Sequence, residues 1–315
     1  MEYSPPGYNL CRSTFSNEAP MLSSANVWMS VAGLVYLVAG VFIHRKEISA
    51  AHGLDKLIAM ACVFIAVPLA VFAPEHFRGP EFVQNMVPSY MPAHVFWAYL
   101  VGSALFAAAT SLTVRKFVRL SSTLLGLMFF LFVCMLYLPS ALKHPHDRFA
   151  WAYLLRDLSF CAGAWALAGL HGRASSPRGS KVFISLSRVV IAIAAIVYAV
   201  DHFLHPTFAP GVPLELKMPP WVPLPSVWGY LAGTILLAAG IALALNRKSR
   251  VAAASIGALM TVLTVFPYLM ILAFARSASD INDALNYVAD TLLYAGSALA
   301  LASALPRDPL RLIRT

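Results

Sequence analysis

The chain has 315 residues, 59% hydrophobic and 12% charged, with a mean hydropathy of +0.72. A soluble domain carries about a quarter charged residues, so this chain has too little polar surface for water and belongs in a bilayer. The net charge of +9 fits basic cytoplasmic loops rather than nucleic acid, and the lack of short alternating segments excludes a membrane barrel.

Residues 1–26 read as an extracytoplasmic tail. They hold Glu2, Pro5, Pro6 and Pro20 without the basic start and apolar centre of an export signal. Nine apolar runs follow, at 27–43, 57–74, 94–112, 121–139, 150–170, 183–200, 226–245, 251–275 and 284–304. Most are long enough to cross the hydrocarbon as a helix, which takes about 20 residues. The predicted fold class is therefore all-α: a polytopic membrane protein of about nine transmembrane helices.

Sixteen of the 23 Lys and Arg residues fall after the odd-numbered runs, among them Arg45, Lys46, Arg115, Lys116, Arg173 and Arg178. The positive-inside rule then puts the N-terminus outside and the C-terminus in the cytoplasm. The expected setting is a prokaryotic cytoplasmic membrane. Of the four cysteines, Cys62, Cys134 and Cys161 lie in apolar runs, Cys11 stands alone near the N-terminus, and no Cys-x-x-Cys occurs. A thiol–disulfide relay is disfavoured.

A long repeat organises the chain. Val71-Phe72-Ala73-Pro74-Glu75-His76-Phe77 returns as Val197-Tyr198-Ala199-Val200-Asp201-His202-Phe203. Each copy leads through a proline-rich loop to Trp-x-Tyr-x-x-Gly, with Trp97, Tyr99 and Gly102 first and Trp228, Tyr230 and Gly233 second. His76 recurs 126 positions on, Trp97 and Tyr137 131 positions on, and Asp157 and Gly163 133 positions on. Residues 27–56 form an extra helix with a basic loop, and 57–170 and 183–304 form two four-helix-bundle repeats. A cytoplasmic linker, 171–182, joins them, and a basic tail, 305–315, follows. Four is an even number, so the copies are expected to be parallel, about an axis along the membrane normal.

Charge inside a span is the strongest functional signal, because an Asp at a helix centre costs about 2.5–3.5 kcal/mol on insertion scales. Asp157 and Asp290 meet that description. The topology places them at the same membrane face as His76 and His202, so two His–Asp pairs are expected. Tyr153, Asp157 and Cys161 share a stripe, as do Asn286, Asp290 and Tyr294. Arg156 is a candidate counter-ion for Asp157, although adjacent residues point apart; its counterpart is Ala289. His76, Tyr99 and Asp157 would line one ligand site, with Tyr153 and Arg156 beside them, and His202, Tyr230 and Asp290 the other. Such groups suit a quinone, with His and Tyr bonding a carbonyl and an acid exchanging a proton. They equally suit a structural role, since polar groups hold transmembrane helices together. Trp97 and Trp228 read as interface anchors. His144, His146 and Asp147 surround Pro145, which prevents helical ligation, and no metal site is expected.

Met86-Val87-Pro88, Met91-Pro92 and Met218-Pro219-Pro220, followed by a Gly-bearing second helix, resemble the DoxX/DoxD-like membrane family. Arg156-Asp157-Leu158 with Gly163 looks like that family's last-helix motif, and Ala289-Asp290-Thr291 with Gly296 departs from it. The resemblance covers about residues 57–304. It implies a membrane subunit of a redox system, with quinone as cofactor and a soluble or membrane redox partner; better-understood relatives belong to a thiosulfate:quinone oxidoreductase. Two alternatives from other classes stand beside it, a small-solute or lipid transporter and a non-catalytic assembly subunit.

Overall fold

In the computed structural model of the protein, residues 23–307 are described. Cys11 and most of the expected N-terminal tail, like the chain beyond residue 307, lie outside the described residues. The regular structure of the described chain is all helical, apart from one isolated antiparallel bridge between Phe208 and Lys217.

The helices in order are α1 (Ser24–Ala50), α2 (Leu54–Ala59), α3 (Ala61–Arg78), α4 (Pro80–Val83), α5 (His94–Val114), α6 (Val118–Phe132) and α7 (Leu138–Lys143). The second part holds α8 (Arg148–Gly172), α9 (Pro177–Leu204), α10 (Pro225–Ala244), α11 (Ser249–Leu263), α12 (Leu269–Phe274) and α13 (Ala278–Ala304). Two π-helical turns, Val133–Tyr137 and Thr264–Tyr268, join α6 to α7 and α11 to α12. Pro267 lies inside the second turn and Pro139 just after the first. Proline removes a backbone donor and crowds the preceding turn: the chain stays helical past Pro139, whereas before Pro267 the residue Phe266 leaves helical geometry (φ −143°, ψ 117°) and the helix kinks.

Among the described residues seven helical stretches are long and apolar enough to cross a membrane: Ser24–Ala50, Ala61–Arg78, His94–Val114, Val118–Lys143, Pro177–Leu204, Pro225–Ala244 and Ser249–Phe274. Large apolar side chains face outward along them, including Leu34, Val38, Phe42, Leu124, Ile193 and Val262. Exposed apolar surface on this scale is what lipid covers. This is a polytopic helical membrane protein. α8 and α13 are as long as the seven but are not among them; they carry Arg148, Arg156 and Asp157, and Asp280, Asp283 and Asp290.

The eight long helices after α1 form one ring. α3 packs on α5, α5 on α6, α6 on α8, α8 on α9, α9 on α10, α10 on α11, α11 on α13, and α13 back on α3. α8 also packs on α13 across the middle. Two bundles closed on themselves were expected. The ring differs because α3 packs on α13 rather than α8, and α8 packs on α9. Small residues explain the central contact: a Cβ on Gly163 would overlap Ser297 of α13, so the two axes come close only because that side chain is absent. α1 lies outside the ring against α3, tied by His44 Nε2 to the Thr113 carbonyl (3.2 Å), Tyr36 to Thr110 (2.6 Å) and Arg115 to Glu47.

Arginines tie one end of the bundle. Arg173 and Arg250 donate to the Ala304 and Ala302 carbonyls at the end of α13, and Arg188 to Leu243 near the end of α10. Such bonds satisfy carbonyls that a helix end leaves open. Arg250 also pairs with Asp55 of α2 at 2.8 Å, with Arg307 at 3.7 Å from the same carboxylate. The hydrogen bond from Arg250, and then the charges of Arg250 and Arg307, hold the Asp55 carboxyl below its ordinary value. A depressed folded-state pKa means stability present above the unfolded pKa and lost as pH falls through the folded one. Asp55 is well exposed, so the contribution is screened and about 1 kcal/mol or less. Asp55→Asn is expected to lower the melting temperature slightly at pH 7 and not at all once the pH is below the folded-state value. A deficit that persisted unchanged in acid would rule out the charge pair as its cause.

Candidate functional site

The central α8–α13 contact carries the charged cluster. Asp157 is the tenth residue of α8 and Asp290 the thirteenth of α13, so at 1.5 Å per residue they lie roughly 14 and 18 Å in from their helix starts. Arg156 joins them. Its Nε donates to Asp157 Oδ1 at 3.0 Å, with Nη2 also 3.0 Å from that oxygen, and its Nη1 donates to Asp290 Oδ2 at 2.8 Å. Nη2 reaches the Tyr137 hydroxyl at 3.4 Å. The guanidinium also sits 5.1 Å from the centre of the Tyr153 ring. Arg156 and Asp157 are buried, at 9% and 4% exposure. Two carboxylates on one guanidinium leave one negative charge unmatched within the trio. In a low-dielectric interior such an arrangement favours holding one proton or binding one cation.

A second set of hydroxyls lies beside this trio. Tyr153 of α8 and Tyr287 of α13 donate to the same oxygen, Glu215 Oε2, at 2.7 and 2.8 Å. Each tyrosine stacks on another carried by a π-helical turn: Tyr137 on Tyr153 (6.4 Å between centroids) and Tyr268 on Tyr287 (6.0 Å). Single π turns recur at functional sites, where they turn a side chain out of the regular helical register. Glu215 comes from the connection between α9 and α10, whose residues Ala209–Leu214 are buried in the protein. Arg148, at the start of α8, holds this connection to α9: it bonds Asp201 (3.1 and 3.3 Å) and the Leu214 carbonyl (2.9 Å).

The expected His–Asp pairs are not formed. Nδ1 of His76 meets the Phe72 carbonyl at 3.0 Å, and Nδ1 of His202 meets the Tyr198 carbonyl at 2.6 Å. Each ring is folded back along its own helix. A carbonyl only accepts, so each Nδ1 carries the hydrogen. Nε2 of His202 then accepts from the Gly211 amide at 3.3 Å. The acids of the repeated motif, not its histidines, reach other helices. Asp201 takes Arg148 at the start of α8, and Glu75 takes Asn282 near the start of α13, at 3.4 Å.

Tyr99 and Tyr230 also stand apart from the aspartates. They are 41% and 49% exposed and stack on Phe77 and Phe203. Trp97 donates to the Pro92 carbonyl at 3.0 Å, and Trp228 packs on Phe266. The expected two sites are therefore a single cluster, holding Tyr153, Arg156, Asp157 and Asp290 of the expected residues. Arg156 reaches it because a guanidinium on a long stem overcomes the divergence of neighbouring positions; that divergence had argued against its pairing with Asp157. Asp147 is the N-cap of α8 and accepts from the Phe149 amide at 2.9 Å. Among the described residues no group of three or more His, Cys, Asp or Glu is placed to hold a metal ion.

Sequence reasoning passed over Glu215, Tyr287, Tyr137 and Tyr268 as site residues. Signals for three of them were present. Tyr137 and Tyr268 recur 131 positions apart, and the change of offset from 126 to 131 lies in the loop that carries Glu215. Compared with protein-family models, with curated proteins and with solved structures, the chain matches none.

Proposed function

We propose that the protein is a DoxX-like membrane subunit of a redox system that binds a quinone, or another flat apolar ligand with carbonyl oxygens, between α8 and α13 near the outer membrane face. The observation that carries this reading is the buried guanidinium shared by Asp157 and Asp290 with tyrosine hydroxyls beside it. Intramembrane ionisable groups are costly and mark functional positions. A carboxyl without its own counter-ion exchanges protons, as quinone chemistry requires, and tyrosine hydroxyls bond quinone carbonyls. Electrons come from a soluble or membrane redox partner. In this reading the chain crosses nine times, α8 and α13 included, with its N-terminus outside. α3–α8 and α9–α13 are two same-sense copies, and the equal spacing of the π turns and the matching order of helix contacts support that view.

Purification in mild detergent followed by solvent extraction and mass spectrometry tests this. Quinone is expected to remain with the wild-type protein, and added decylbenzoquinone to raise its melting temperature by a few degrees. Asp290→Asn should lose the quinone while keeping its helical circular dichroism. No bound quinone together with no thermal shift would sink the reading.

A second reading, proton-coupled transport of a small solute, is favoured by the position of the cluster between the two halves, where many transporters hold their substrates. Counterflow of labelled solute in proteoliposomes separates the two.

A further inference from the structure

The Tyr153 and Tyr287 hydroxyls come from the two helices that also carry the aspartates, yet both point at one oxygen atom, Glu215 Oε2. That oxygen belongs to a loop rather than to either helix. From this convergence we infer that the two tyrosines form a clamp for a single ligand oxygen, and that Glu215 fills the clamp from within the chain until a ligand replaces it. The inference rests on the ligand-binding reading above and deepens it: the ligand presents a carbonyl or carboxylate oxygen at the end of an apolar body.

The loop has the form of a compact lid. Its ends are joined by the Phe208–Lys217 bridge, with Ala209 N–H bonded to the Leu216 carbonyl at 2.7 Å and Met218 N–H to the Thr207 carbonyl at 3.3 Å. Close ends are the mark of an Ω-loop, a compact unit that is frequently functional. Its polar attachments to the helices are made at identifiable atoms. The Gly211 amide donates to His202, the Leu214 carbonyl accepts from Arg148, and Glu215 accepts from the two tyrosines.

The clamp itself is built on rigid elements. Tyr153 is 7% exposed on α8, and Tyr287 is stacked on Tyr268, which is 1% exposed. Two preset hydroxyl donors to one acceptor are the arrangement that recognises a carbonyl or carboxylate oxygen. The Arg156 guanidinium lies against the Tyr153 ring, so a ligand in the clamp stands next to the aspartates. The loop between α3 and α5 is different in kind: it contains α4 and a 3₁₀ turn, Gln84–Met86, and its residues 88–93 are largely exposed. The lid is thus a property of the second half, which has five more residues between its repeated histidine and tryptophan.

The test measures binding of decylbenzoquinone and of decanoate to wild-type protein and to Glu215→Ala, in detergent. Removing the internal acceptor should tighten at least one probe by about tenfold, the factor expected if the clamp is vacant roughly a tenth of the time in the wild type. Adding Tyr153→Phe and Tyr287→Phe to Glu215→Ala should abolish the gain. Gain for the quinone supports both the clamp and the quinone reading. Gain for decanoate supports the clamp, and overturns the quinone reading where the quinone does not bind at all. Quinone binding that is equal in wild type and Glu215→Ala, with no decanoate gain, overturns the clamp and leaves the quinone reading standing. No binding of either probe to either protein overturns both. Should Glu215→Ala fail to fold, Glu215→Gln keeps the side chain's size with a weaker acceptor; a gain of a few-fold is then expected, and its absence overturns the clamp.

Discussion

Arg156→Ala is expected to lower the stability of the folded protein by about 3–5 kcal/mol, the range seen when one partner of a buried ion pair is removed. The reason is the charge the substitution leaves behind. Asp157 and Asp290 face each other across the α8–α13 contact, and the guanidinium bonds to both. Without it, two acids remain in the interior with no guanidinium between them. Asp157→Asn is expected to cost less, because Arg156 keeps its bond to Asp290. The triple replacement Arg156→Met, Asp157→Leu, Asp290→Leu should recover most of the stability and bind no quinone, since apolar side chains of similar volume often match a buried ion pair in energy. Thermal and denaturant unfolding in detergent measure the series. If Arg156→Ala unfolded within about 1 kcal/mol of wild type, the trio would not be the electrostatic link between the two central helices.

The helices themselves were legible in the sequence. Most apolar runs expected to span coincide with a long helical stretch to within a residue, as 183–200 does in α9 and 284–304 in α13, because hydropathy over about 20 residues reports directly on membrane burial; the run 57–74 instead starts in the short α2 and crosses Met60 into α3. Contact partners were not legible. A run of apolar residues does not say which neighbour it meets, and the closure of α3 on α13 depends on close approach at small residues scattered through both. The aspartates were found from their cost in lipid, and their mutual proximity follows from the helix pairing, which had to be seen. Tyr99 shows a finer limit. It lies three residues before Gly102, a spacing that puts two residues near one face of a helix. Three residues leave a helix about 60° short of a full turn. Gly102 turns inward against His76 and Phe77, while Tyr99 sits on the rim, stacked on Phe77. Glu215 was hidden for another reason: loops carry no periodicity, so nothing in its neighbours' spacing showed that residues 209–214 enter the core.

Gly296→Ala is expected to destabilise the protein by about 1–3 kcal/mol, the usual range for overpacking, and toward the upper end of it. A Cβ at Gly296 would lie 2.7 Å from the Phe64 carbonyl carbon and 2.9 Å from the Ile65 amide nitrogen. Those are backbone atoms of α3, so no rotamer change makes room, and α3 and α13 must separate. This contact closes the ring of helices, and α13 carries Asp290 and Tyr287 on its way past. A shift of α13 therefore also moves Asp290 from its 2.8 Å bond with Arg156, so ligand binding should weaken along with stability. Gly179→Ala is the informative contrast. Gly179 lies in the first turn of α9, and its nearest neighbour is the Ser176 hydroxyl, 2.8 Å from the added Cβ, which can rotate away. There the gain in helix propensity, about 0.5–1 kcal/mol, should prevail, and the variant should melt at or slightly above the wild-type temperature. Opposite signs for the same chemical change would locate the constraint in the α3–α13 approach. Equal effects at the two glycines would show that the approach is not close enough to constrain residue 296.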